Sequence, residues 1–114
     1  MSEMRLKFMN DLEGIIIDPY SSSDLMYKKN EAIELLNRLK KNLYIVSETY
    51  AYILEKGNIT FGGCRVCKRN EKESWIDYVN RSNKVAIDYI EEVQSLNNNR
   101  IVVYGFSTIT DTLK

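Results

Sequence analysis

Cys64 and Cys67 are the only cysteines in the 114 residues, set in the order Cys64-Arg65-Val66-Cys67. Paired thiols at that spacing serve three chemistries. Two thiolates from each of two subunits can complete a four-sulfur zinc shell. The pair can cycle between dithiol and disulfide. Or both can pack as small hydrophobes at a tight loop. The surroundings are basic: Lys56, Arg65, Lys68, Arg69 and Lys72 fall between positions 56 and 72, where Glu71 is the one acid. Phe61 lies among them and Trp75 just beyond. Cations beside aromatic faces are what phosphate contacts and base stacking use. Phe61, Arg65, Lys68, Arg69 and Trp75 are therefore the expected ligand-binding set, for a nucleotide, a nucleic acid or an acidic protein surface. Cys64 and Cys67 are the expected metal ligands, with zinc as the metal. Gly62-Gly63 would admit a phosphate to the backbone amides, although P-loop spacing is absent.

Two family resemblances rest on these cysteines. A C-x-x-C at the apex of an antiparallel coiled coil is similar to the zinc hook of the SMC-like DNA-repair ATPases, which implies a zinc-bridged adaptor dimer. The likeness covers the tip alone, and Arg65 stands where that family usually has proline. Cys64, Cys67 and Lys68 resemble the thioredoxin-type C-x-x-C-K, which implies a small thiol-redox enzyme. That family sets a proline opposite its disulfide, whereas Pro19 is the only proline here and precedes any partner strand.

Other chemistry is thin. The chain has no histidine, which removes the usual base near neutral pH, every Ser-His or Cys-His nucleophile pair and all histidine-containing zinc sites. Asp11, Glu13 and Asp18 could hold a hard cation, but no lysine stands beside them in the nuclease pattern E-x-K, so they read as turn acids. The expectation is a protein that is not an enzyme. Eight tyrosines are conspicuous; Tyr44, Tyr52 and Tyr78 fall outside the apolar ladders below and suggest a contact surface.

The elements that would position these residues are read from periodicity. Leu25, Lys29, Ala32, Leu36, Leu39, Leu43, Val46, Tyr50 and Ile53 recur at alternating spacings of four and three, as do Trp75, Val79, Ser82, Ala86, Tyr89, Val93 and Leu96. That alternation is the seam of one helix packed along another. Ser21-Ser22-Ser23-Asp24 supplies an N-terminus, and Gly57 a left-handed stop after Lys56. Such a helix would span about 50 Å at 1.5 Å per residue, so it must protrude or be covered by a second subunit. Asn70 and Glu73 have the spacing of a capping box for a second helix reaching Leu96. Asn58 to Val66 could form a short strand or the hairpin tip. Met4, Leu6 and Phe8 alternate with Arg5 and Lys7 as a half-buried strand, Ile15-Ile16-Ile17 reads as a second, and Ile101 to Phe106 as a third and central one.

The fold expected is α+β, one domain over residues 1–114: an N-terminal β-hairpin and a third strand on two long antiparallel helices with the C-x-x-C at their tip. The competing order is βαββαβ, ferredoxin-like, with the first helix broken at Asn42 and residues 43–46 a strand.

Composition sets the function classes. At 44% hydrophobic and 28% charged residues the chain is an ordinary globular protein. Sixteen basic and sixteen acidic residues cancel, so no global field draws it to nucleic acid or an anionic membrane. No apolar run could span a bilayer and no secretion signal is read at Met1–Arg5, so a cytoplasmic protein is expected. The function expected is a homo-oligomer, joined through the helical seam, that regulates or inhibits by capturing an anionic ligand or partner.

Overall fold

The ladder of the first helix breaks at Asn42, and that break decides the architecture. The computed structural model describes residues 15, 16 and 25–110. In chain order they form β1 (Ile15–Ile16), β2 (Leu25–Met26), α1 (Lys29–Lys41), β3 (Ile45–Glu55), β4 (Asn58–Val66), α2 (Trp75–Ser95) and β5 (Ile101–Ile109). The main sheet is antiparallel in the order β4-β3-β5, and β1 pairs with β2 separately.

Two long helices with the cysteines at their tip are therefore not observed. Helix α1 ends in a Schellman turn: the Leu43 N–H donates to Lys40 O at 3.0 Å and the Tyr44 N–H to Leu39 O at 2.9 Å. The left-handed position is filled by Leu43, with φ +63°, so no glycine marks the stop in the sequence. The three-four spacing that continues through Val46, Tyr50 and Ile53 is carried by a strand, whose β-branched and aromatic residues suit a pleated surface. Lys56 and Gly57, both at positive φ (52° and 81°), form the two-residue turn whose twist matches a hairpin. Gly57 ends a strand, not a helix.

The competing ferredoxin-like order fails differently. Its break at Asn42 and the strand after it are present, but that topology sets the second strand of the internal hairpin inside the sheet. Here β4 is an edge and β3 is central. The strand expected at the centre, β5, pairs on one side with β3 and on the other, among the described residues, only with Tyr27, which exchanges two backbone hydrogen bonds with Tyr104 (2.8 and 2.7 Å). Met4–Phe8 lies outside the described residues. Ile15 and Ile16 pair with Met26 and Leu25, in a segment expected to open the first helix.

Both helices lie on one face of the sheet. Ala32, Leu35, Leu36 and Leu39 of α1 meet Ala86, Tyr89, Ile90 and Val93 of α2 above Val46, Ala51, Val102 and Tyr104. The seam that was expected to join two subunits is thus consumed within one chain; Leu36 and Leu39 are both fully buried. Two polar side chains key this layer. The Asn83 amide donates to Leu36 O across the helices at 2.8 Å. Ser82 Oγ accepts the Val46 N–H at 3.0 Å and donates to Val79 O at 3.1 Å, beside the irregularity between Val46 and Glu48 where β3 slips against β5. Helix α2 begins one turn later than the Asn70–Glu73 spacing suggests, at Ser74, whose Oγ accepts the Asp77 N–H.

Candidate partner-binding surface

Among the described residues the helices take one face, and the other is left to the strands. Directly opposed residues of an antiparallel pair share a face. Glu48, Tyr50, Tyr52 and Leu54 of β3 stand opposite Val66, Cys64, Phe61 and Ile59 of β4, and opposite Ser107, Gly105, Val103 and Ile101 of β5. Met26 covers the β5 side: it packs with buried Val103, and a Cβ at Gly105 would fall 2.5 Å from its sulfur. The β4 side stays open. Phe61 is 56% exposed and Ile59 45%, and the Phe61 ring meets Tyr52 edge-on at 5.4 Å. At one end of the face the Tyr50 hydroxyl bonds the Glu48 carboxylate and lies 2.9 Å from Ser107 Oγ. Burial, then the Glu48 carboxylate beside it, pushes the Tyr50 hydroxyl above its ordinary range.

The residues expected to form one ligand site are dispersed around this strand. Phe61 lies on the open face. Arg65 lies on the helix side, 5.0 Å above the Tyr89 ring and 3.3 Å from Glu92. Lys68, Arg69 and Trp75 sit beyond the end of β4. Arg69 stacks over Trp75 at 5.8 Å and donates to Glu73 O, while the Trp75 indole donates to Leu43 O.

The two thiols are not brought together either. Three residues of extended strand separate their Cα atoms by about 10 Å and set them on opposite faces, so Cys64 is exposed and Cys67 buried. Cys67 lies in a clamp. Arg81 pairs with both Glu73 carboxylate oxygens at 2.8 Å, bonds Lys68 O, and sits 3.2 Å from the Cys67 sulfur. The Tyr78 hydroxyl donates to Cys67 O at 2.7 Å. Burial pushes the Cys67 thiol up, with Arg81 opposing, which disfavours the thiolate that metal binding and redox attack require. The Arg81 guanidinium, with the Asn70 N–H, holds the Glu73 carboxyl down at about 2. The arrangement ties the loop from β4 to α2 in place. Among the described residues no group of three or more Cys, Asp or Glu side chains could hold a metal.

Tyr50 also fits the helical spacing of the first ladder, which masks this face in the sequence. The strand signal is that Tyr50, Tyr52 and Leu54 alternate, and Lys56-Gly57 follows.

Among the described residues the helices cover one sheet face and Phe61 is exposed on the other. The family model for immunity protein 40 matches residues 12–107. The chain belongs to the immunity protein 40 family. Its coarse class is thereby an inhibitory protein that binds a partner toxin, not an enzyme. No curated protein and no solved structure matches the chain. No helix among the described residues is long and apolar enough to cross a membrane.

Proposed function

We propose that this immunity-family protein neutralises its toxin by laying the open sheet face, centred on Tyr52 and Phe61, against it. The observation that carries this is the exposed Phe61, its ring edge-on to half-buried Tyr52 and beside exposed Ile59, on a face that no described helix covers. Contiguous exposed apolar side chains mark interaction sites. Aromatic anchors ringed by polar groups carry most of the energy of protein interfaces, and Glu48, Tyr50 and Ser107 would supply the polar end. Inhibition then follows from steric cover of the toxin. Calorimetry of the cognate toxin with Phe61→Ala tests this. The affinity should fall by about 2 kcal/mol or more, as for a central anchor; an unchanged affinity moves the site elsewhere.

Arg69 stacked on Trp75, with Lys68 beside it, supports a second reading in which the loop after β4 meets an acidic toxin surface. That reading requires binding that survives Phe61→Ala, weakens with salt and drops in Arg69→Ala.

A further inference from the structure

Strand β4 lies at an edge of the described sheet. Among the described residues it pairs with β3 alone, and every residue in it but Gly63 is exposed. A nine-residue edge bearing Ile59, Phe61 and Val66, with neither lysine nor proline, is the kind that soluble proteins cover. Its free backbone groups follow from the ladder. The two-residue turn makes Glu55–Asn58 the hydrogen-bonded closing pair, so alternation turns the N–H and C=O of Ile59 and Phe61 outward. At the far end the Cys67 N–H donates to Ser47 O at 2.9 Å, which leaves Val66, and Cys64 before it, outward as well. Gly62 is the extra residue that keeps both halves in phase, since Tyr52 opposes Phe61 while Ala51 opposes Gly63.

We propose that β4 pairs antiparallel with β4 of a second copy, about a two-fold axis between Gly62 and Gly63. In that register Ile59 faces the partner's Val66, Phe61 the partner's Cys64, and Thr60 the partner's Arg65. Outward groups meet outward groups, and the apolar row stays on one face. The one charge in the strand, Arg65, does not meet its own copy. A shift of one residue would oppose open-face and helix-side residues. A shift of two would set each bulge against regular strand. A bulge ordinarily protects an edge; here the axis sets bulge against bulge, so the residue counts match. The dimer carries a six-stranded sheet with both open faces side by side. It is independent of the toxin-docking proposal, because it is measured on the chain alone.

Sedimentation equilibrium on the purified chain should give twice its 13.3 kDa mass. Ile59→Lys and Val66→Glu, both at exposed positions, should each weaken the dimer about tenfold or more by setting an unpaired charge in the apolar row. The two changes in one chain should restore it, since the register sets opposite charges across the axis in both pairs. Circular dichroism checks that each variant is folded. A wild-type monomer up to roughly 100 μM, a dimer indifferent to either single change, or a double variant that stays monomeric overturns the proposal.

Discussion

The two faces of one sheet carry opposite assignments. Toward the helices, Thr49, Ala51, Val102 and Tyr104 are buried, and Ser82 and Asn83 satisfy the backbone groups that packing strands there. Toward the open side lie half-buried Tyr52 and Leu54 and exposed Ile59 and Phe61, under no described helix, with Met26 over the β5 half. Both faces carry apolar side chains, so hydrophobicity does not distinguish the covered face from the open one; cover does. Change on the first face should cost stability, and change on the second should cost binding.

The largest effect is expected on the covered face. Leu36→Ala removes a fully buried side chain and should lower unfolding free energy by about 2–5 kcal/mol, read from urea melts. Ser82→Ala strands the Val46 N–H and should cost about 1–3 kcal/mol. Gly63→Ala is next: its φ is +129° and a Cβ there would fall 2.9 Å from Tyr89 Oη, for a loss of about 1–3 kcal/mol. Tyr89→Phe should recover part of that loss, because it removes the clashing oxygen. If Phe61→Ala cost as much as these, the contrast between the faces would collapse. It should cost less than about 1 kcal/mol, the scale of a cross-strand aromatic contact.

The smallest effect is a pH dependence at the clamp. Glu73 sits at about 2 in the folded chain, below its ordinary 4.5. A carboxyl lowered by folding contributes stability above its unfolded value and loses it as protons fill the folded site. That part of the stability is therefore whole above pH 4.5 and declines between 4.5 and 2. Glu73→Gln should flatten the difference across that window in thermal melts; an unchanged slope would show that the Arg81 pair does not couple to folding.

Much of the covered face was legible in the sequence. The second ladder gave Val79, Ser82, Ala86, Tyr89 and Val93 correctly as inward, and the first did so at Ala32, Leu36 and Leu39, because helical periodicity is enforced by burial. It then misled. A stop built on Leu43 has no glycine to announce it, and Val46, Tyr50 and Ile53 keep a helical spacing by coincidence while sitting in a strand. That error carried the cysteines to a helical tip and hid the open face, whose signal of period two was short and shared with the covered side. Of the expected ligand residues, Phe61 alone lies on the surface proposed here, because alternation along β4 separates it from Arg65.

The central claim is that the open face binds and the covered face folds. It is tested most directly by Ile59→Ala/Phe61→Ala, two exposed positions of the open face, measured at once for thermal midpoint and for affinity to the cognate toxin. The account predicts a midpoint close to wild type and an affinity lower by about 2 kcal/mol or more. A variant that stays folded and binds the toxin as tightly as wild type would contradict it.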